Sequence, residues 1–180
     1  MFALTPRLLL RPGWPEDAPE LARAIGHEAV ATKLSRVPWP YTEEDARAFL
    51  GHAWREPAPV FLITERGGRL VGGIGVHEEG GEPALGYWLA PDAWGRGYAT
   101  EAGRAVLAIA RDALGLRRLR ASAFVGNAAS ARVLAKLGFR PTGRVVRLPC
   151  LALGREVDAV ETVVELEDAE AGPADVALAA

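Results

Sequence analysis

The apolar positions along the chain change between two spacings, and each change marks the border of a predicted element. Short continuous or alternating apolar runs predict seven strands, over 7–12, 60–65, 69–77, 80–90, 116–124, 142–152 and 155–166. Apolar steps of three and four predict four helices, over 18–31, 43–54, 98–114 and 127–137. This order of strands and helices predicts a mixed α/β sheet.

Capping and turn residues support several of these borders. Asp17 is followed three residues later by Glu20, which is a capping-box pattern ahead of the first helix. Thr42 can cap the second helix. The Arg-Gly-Gly sequence at 66–68 predicts a hairpin between two strands.

Length and composition favour one globular domain. The chain has 180 residues, of which 49% are apolar and 24% charged. This length is enough to bury a hydrophobic core without disulfides or structural metal ions. The last residues, 168–180, lack an amphipathic pattern, so we predict a domain over 1–167 and a frayed tail. The single cysteine, Cys150, excludes an internal disulfide and fits a reducing compartment.

Charge and hydropathy exclude several classes of function. A net charge of −2 argues against a general binder of nucleic acid or of anionic membranes. No apolar window is long enough to span a bilayer, which needs about 18 residues. The histidines have no metal-ligand spacing. We therefore predict a cytoplasmic protein that binds neither nucleic acid nor membrane and holds no metal.

The loop before the third helix carries the most informative chemistry. Residues 94–100 read WGRGYAT, with Gly95 and Gly97 immediately ahead of strong helical spacing. A helix start presents unpaired N–H groups, and glycines allow the backbone to approach an anion closely. Arg96 can add a cation. The same residues also fit an ordinary tight turn, and they form neither a Walker A loop nor a dinucleotide fingerprint.

Two polar residues open the next helix. Asn127 and Ser130 lie one turn apart, and short crossovers would place them at the same end of the sheet as the glycine loop. Asn and Ser also favour helix starts, so an ordinary capping pair is the alternative.

Three motifs in this order resemble a known superfamily. GYWLAPDAWGRGYATEA, followed by NAASARVLAKLGF, is similar to the GNAT superfamily of acetyl-CoA-dependent N-acetyltransferases. The opening TPRLLLRPGWPEDAPELA resembles its ribosomal-protein N-terminal acetyltransferase branch, the RimJ/RimL type. The resemblance covers about 7–166. It implies a single-domain GNAT-like α/β fold, with a mixed, largely antiparallel sheet of about seven strands flanked by about four helices.

The resemblance also implies where acetyl-CoA binds. Its pantetheine would pair with the backbone at the end of the strand before the loop, which here means about Tyr87 to Ala90 and includes Trp88 and Leu89. Its pyrophosphate would lie on the loop, formed by Trp94, Gly95, Arg96, Gly97, Tyr98, Ala99 and Thr100. Asn127 would orient the cofactor. Trp94 stands where the family usually has Gln or Arg, but the implied contacts are mainly with the backbone.

Acyl transfer to an amine needs a polarised carbonyl and a proton for the leaving thiolate. The Leu89 N–H is the candidate for polarising the carbonyl. Many relatives protonate the thiolate with a Tyr at the position of Leu134, so that route is absent here. The resemblance implies Ser130 as the proton donor instead.

The general base is less well defined by the resemblance. Relatives carry Glu at the positions of Ala84 and Ser122. Glu82 lies two residues before Ala84 and would face the same side of its strand, so it is the candidate base. Glu101 and His77 are further candidates, and a water relay or an amine that arrives neutral would also serve.

Two other classes of function stay open beside an N-acetyltransferase. The predicted enzyme acts by direct attack in a ternary complex of acetyl-CoA with a protein N-terminus or a small amine, and a homodimer is possible. A catalytically silent acyl-CoA-binding module is the first alternative. A plain α/β interaction domain without CoA is the second.

Overall fold

A computed structural model describes residues 1–53, 59–166 and 177–179 of the chain. In this part, the strands are β1 (Phe2–Leu4), β2 (Leu8–Arg11), β3 (Val60–Glu65), β4 (Leu70–Glu79), β5 (Glu82–Leu89), β6 (Arg118–Phe124), β7 (Arg140–Cys150), β8 (Arg155–Glu165) and β9 (Ala177–Ala179). The α-helices are α1 (Ala18–Ile25), α2 (Glu28–Ala31), α3 (Glu43–Ala53), α4 (Tyr98–Asp112) and α5 (Ala128–Lys136).

All of these strands form one sheet in the order β7-β8-β6-β5-β4-β3-β2-β1-β9. Neighbouring strands are antiparallel except β5 and β6, which run parallel. Because α4 follows β5 and α5 follows β6, both helices begin at the same edge of the sheet. The predicted mixed, largely antiparallel α/β fold is confirmed.

The structure adds elements that the pattern does not predict. The short strand β1 pairs with the short edge strand β9, and three residues are too few to show a period. The predicted helix over 18–31 is divided into α1 and α2 at Gly26, so that five helices replace four. A Cβ at Gly26 would lie 2.4 Å from the Ala22 carbonyl oxygen, which means that only glycine fits the end of α1.

The predicted frayed tail falls largely outside the described residues. Within it, Ala177–Ala179 form strand β9. The domain border at residue 167 stays a prediction.

One predicted cap is confirmed and the other is wrong. The Thr42 hydroxyl accepts a hydrogen bond from the Asp45 amide at 3.2 Å, and the Asp45 carboxylate accepts one from the Thr42 amide at 2.8 Å. Asp17 makes no side-chain cap for α1. Its carboxylate instead accepts hydrogen bonds from Arg11 and from the Trp14 amide, each at 2.7 Å.

The Asp17–Arg11 pair gives a prediction for stability against pH. Burial raises the pKa of Asp17, but hydrogen bonds from Arg11 and the Trp14 amide outweigh it and lower the pKa below 3.8. The stabilisation is therefore complete above that pH and is lost as pH falls through the lower, folded value. We expect Asp17→Asn to cost about 1–3 kcal/mol in the free energy of unfolding near neutral pH, with a smaller cost in acid.

Urea unfolding near neutral pH and in acid measures this difference. Asp112→Asn is the matched control, because Asp112 pairs only with its chain neighbour Arg111 among the residues described. An Asp17→Asn cost that does not shrink in acid would contradict the linkage.

The two faces of the sheet are covered by different helices. Helix α4 packs Val106 and Ile109 into the larger core on one face. Helices α1 and α3 pack Leu21 and Leu50 on the other face. A third apolar cluster around Phe124 lies on that second face, beyond β5.

Candidate active site

The loop before α4 has an open backbone. Gly97 precedes the helix with φ +80° and Gly95 has φ +73°, both in the left-handed region, and no side chain caps α4. Over the described part of the chain, none of the amides of residues 95–100 donates a hydrogen bond. The residues 95–97 are exposed. Unpaired amides at the start of a fifteen-residue helix form a site for an anion.

The first residue of the predicted loop, Trp94, has a paired amide. The Trp94 amide donates to the Pro91 carbonyl at 3.2 Å, inside the 3₁₀ turn Pro91–Ala93. It is therefore not free for a phosphate, and the open amides begin at Gly95.

Arg7 fixes this loop through hydrogen bonds, and no pattern in the sequence predicted this role. Its Nη1 donates to the Arg96 carbonyl at 2.9 Å, and its Nε donates to Glu101 at 2.7 Å. The Thr5 hydroxyl also donates to Glu101, at 2.6 Å. Burial raises the pKa of Glu101, but the hydrogen bonds from Thr5 and Arg7 have the larger combined effect. The pKa of Glu101 therefore lies below its ordinary value. Glu101 is thus a structural carboxylate rather than a free base.

A second carboxylate fixes the side chains of the loop. Glu65 accepts hydrogen bonds from the Tyr98 hydroxyl at 2.7 Å and from Arg96 at 3.0 Å. Hydrogen bonds from Arg69 and then Tyr98 lower the pKa of Glu65 to about 2. The Arg96 side chain, expected to add a cation to the site, is therefore paired with Glu65.

The end of β5 turns alternate main-chain groups toward opposite neighbours. The Ala90 amide donates to the Val71 carbonyl at 2.9 Å, which directs it toward β4. By alternation Trp88 also faces β4, whereas Tyr87 and Leu89 face β6. Trp88 and Ala90 therefore have no amide toward β6, and the predicted pantetheine contact is possible only at Leu89 and Tyr87.

The strands β5 and β6 separate next to these groups. Among the described residues, their parallel register holds one pair, Ala84 with Arg120, near the start of both strands. Over the rest of their described length, toward Leu89, the two strands are not paired with each other. A gap therefore opens on the side that the Leu89 main chain faces.

Ser130 lies beside this gap together with the side chain of Tyr87, a residue for which only a main-chain contact with pantetheine was predicted. The Tyr87 and Ser130 hydroxyl oxygens are 2.8 Å apart, and either can donate. Burial raises the pKa of Tyr87, so its phenol stays protonated near neutral pH. Asn127 accepts a hydrogen bond from the Ser130 amide at 3.2 Å and caps α5. In the sequence Tyr87 is one apolar position of a predicted strand, so no pattern predicted a role for its hydroxyl group.

Comparison with known proteins supplies the family. The family model of the acetyltransferase (GNAT) domain matches residues 7–140, which is most of the chain. The chain belongs to the GNAT acetyltransferase family. The matched range of this GNAT domain includes the glycine loop, Tyr87 and Ser130.

Three relatives are informative for this GNAT domain. It is 38% identical over 77 residues to the uncharacterized N-acetyltransferase YoaA of Bacillus subtilis, across 41% of this chain and 44% of the relative. The chain thus spans less than half the length of that curated relative. A GNAT-family acetyltransferase structure from Bacillus anthracis is 26% identical, with a TM-score of 0.81 over 93% of this chain and 100% of that one.

The third relative is a structure of Mycobacterium smegmatis RimJ in complex with CoA-disulfide. It is 22% identical, with a TM-score of 0.77 over 92% of this chain and 88% of that one. At this identity the likeness shows the shared fold.

The predicted base of this GNAT domain is engaged elsewhere. Glu82 forms an ion pair with Arg120, which in turn binds Glu161 at 3.0 Å. It lies five residues before Tyr87, about 16 Å along β5. These contacts argue against Glu82 as the base.

Metal-binding side chains do not cluster in the described part of the GNAT domain, where no group of three or more could hold an ion. The helices within 1–53, 59–166 and 177–179 include none that is both long and apolar enough to cross a bilayer.

Proposed function

We propose that this GNAT domain transfers the acetyl group of acetyl-CoA directly to a primary amine within a ternary complex. The observation that carries the proposal is the set of open amides at residues 95–100, with Gly97 held in the left-handed region. A diphosphate fits such a site because unpaired N–H groups and the helix dipole both favour negative charge.

The gap between β5 and β6 suits the thioester arm. Leu89 and Tyr87 turn their main-chain groups toward it, and Leu89 is the last residue of β5 before the loop. In this proposal the Leu89 amide donates a hydrogen bond to the thioester carbonyl oxygen. Such a donor stabilises the charge that develops on that oxygen as the amine attacks.

Ser130 is the proton donor to the leaving thiolate in this proposal. If the Tyr87 hydroxyl donates to the Ser130 oxygen across their 2.8 Å contact, the Ser130 hydrogen is directed away from Tyr87. Tyr87 thereby positions the Ser130 hydroxyl, and its raised pKa keeps it a donor. The side chain of Asn127 is occupied in capping, so its predicted contact with the cofactor would use its amide NH₂ group.

A protein N-terminus is the first candidate acceptor, and a small amine is the second. The cytoplasmic location and the homodimer stay predictions from the sequence.

Calorimetry and a transfer assay test the proposal. We expect the protein to bind CoA and acetyl-CoA with measurable affinity. We also expect acetyl-CoA to release thiol when an alanine-terminated peptide, spermidine or an aminoglycoside is added. Absence of CoA binding would contradict the proposal. Binding without transfer to any of these amines would favour a silent acyl-CoA-binding module.

A further inference from the structure

A histidine lies across β5 on the face opposite to Ser130. His77 of β4 is in register with Ala84, and its ring reaches along β5 to Gly86. A Cβ at Gly86 would be 3.0 Å from the ring carbon Cε1 and 3.3 Å from Nδ1. Glycine at this position is what allows the imidazole to lie against the strand.

A carboxylate lies on the other side of the imidazole ring. Glu79 Oε2 is 3.6 Å from His77 Nε2, within ion-pair range but longer than a hydrogen bond. The Ser122 hydroxyl of β6 donates to the other oxygen of Glu79 at 3.3 Å. The contact with His77 is the main cause that lowers the pKa of Glu79, against the opposing effect of burial. Glu79 is therefore a charged group fixed beside Nε2, while Nδ1 lies over Gly86.

The imidazole and the Ser130 hydroxyl lie on opposite faces of the sheet, at consecutive residues of β5. Gly86 and Tyr87 are consecutive in β5, so their side-chain positions face opposite sides. His77 covers the first, and Ser130 contacts the second. Both are beside the part of β5 that has lost its pairing with β6. In the proposed transfer, a thioester carbonyl bound in this gap would have the Ser130 hydroxyl on one face of β5 and the His77 imidazole on the other.

We infer that His77, with Glu79 as its charge partner, is the general base that accepts the proton of the attacking amine. This inference rests on the proposed acetyl transfer. It also implies that the acceptor amine approaches from the face that carries α1 and α2, opposite to the Ser130 face.

The proposed step forms one carbon–nitrogen bond, breaks one carbon–sulfur bond and transfers two protons. The amine nitrogen forms a bond to the carbonyl carbon, and His77 Nδ1 takes one proton from that nitrogen. The carbon–sulfur bond then breaks, and the thiolate takes the Ser130 proton. The products are the amide and the free thiol. Solvent takes the proton from the imidazolium and returns one to the Ser130–Tyr87 pair.

The other charged groups on this face are already paired with one another or act at a distance. They are Glu82 of β5, Arg120 of β6, Arg144 of β7, Glu161 of β8 and Arg36 of the segment between α2 and α3. Glu82, Arg120, Arg144 and Glu161 form one ion-pair network. Arg36 acts through space on Glu79. Glu79 is thus the carboxylate in contact with the imidazole, and its charge stabilises the imidazolium that forms when His77 takes the proton of the amine.

The first test compares His77→Gln with the control Glu78→Gln, since Glu78 is the exposed next residue of β4 and faces the other side of the sheet. With the alanine-terminated peptide as acceptor, we expect kcat of His77→Gln to fall roughly tenfold or more. The fall is below the ~100-fold typical of a lost general base, because water can also accept the proton. The CoA affinity should not change.

The pH profile separates a base from a structural residue. The kcat/KM of the wild-type protein should rise through the ionisation of an imidazole, and His77→Gln should lose that limb. The peptide amine ionises in every variant, so its own limb persists. A His77→Gln variant that keeps the imidazole limb and its kcat would overturn the inference, while leaving the proposed transfer intact. Loss of CoA binding by the wild-type protein would contradict the proposed function itself.

A second measurement needs no acceptor. In NMR spectra we expect bound acetyl-CoA to shift the His77 ring signals, since the gap adjoins Gly86. His77 signals that do not change when acetyl-CoA binds at the loop would overturn the inference.

Discussion

Replacing Gly97 by valine is expected to weaken CoA binding by about 100-fold. Gly97 has φ +80°, a conformation that costs other residues about 1–2 kcal/mol. Valine relieves this strain by turning the backbone, which moves the open amides away from the bound diphosphate. Loss of two hydrogen bonds to a charged group, at about 1.5 kcal/mol each, gives roughly this factor. Isothermal titration with CoA measures it.

Gly115→Val is the matched control for this experiment. Gly115 also has a left-handed backbone, at φ +65°, and a Cβ added there would have no atom within 4 Å. It lies beyond the other end of α4, about 22 Å from the loop. We expect a similar loss of stability in both variants, but weaker CoA binding only in Gly97→Val. Equal CoA affinities in the two variants would remove the loop from the binding site.

Ser130→Ala is expected to lower kcat by about 100-fold and to leave CoA affinity nearly unchanged. General acids contribute about 10²–10⁴-fold, and the low end applies because a thiol of pKa ~8.5 is already a good leaving group. The main-chain contact of Ser130 with Asn127 survives the substitution. Thiol release under saturating acetyl-CoA and peptide measures kcat, and calorimetry measures the affinity.

Tyr87→Phe separates the contribution of the Tyr87 hydroxyl to kcat from that of the Ser130 hydroxyl. It keeps the ring in the core and the Ser130 hydroxyl in place, but it removes the 2.8 Å contact between them. We expect an intermediate fall in kcat of roughly tenfold, the effect of one neutral hydrogen bond of about 1.4 kcal/mol. If Ser130→Ala keeps full turnover, the thiolate takes its proton from another group and the proposed role of Ser130 is wrong.

The elements and the anion loop could be predicted because their signals are local. A glycine at 97 ahead of strong helical spacing shows in the sequence that a backbone position with positive φ precedes a helix. The place of Ser130 could be predicted for the same reason, since it lies one turn after the helix start at Asn127, but its role as a proton donor came from the resemblance and stays a prediction. The cap at Asp17 failed because a competing contact was stronger: its carboxylate binds Arg11, already placed by β2.

The residues that complete the site could not be predicted because their partners are far apart in the chain. Arg7 contacts the loop across 89 residues, and Tyr87 contacts Ser130 across 43. No spacing rule connects such pairs. Glu82 illustrates the reverse error, since strand alternation gave its face correctly but did not show that Arg120 of β6 would pair with it.

The sequence by itself determined the strands, the main helices, the glycine loop and the resemblance to acetyltransferases, because hydrophobic period and glycine conformation act over a few neighbouring residues. Only the tertiary structure decided which amides stay open, that Leu89 rather than Ala90 faces the gap, and that His77 and Ser130 lie on opposite faces of β5. These features depend on which strands become neighbours. Burial of apolar side chains over the whole sheet determines the strand order, so no single segment of the sequence shows it.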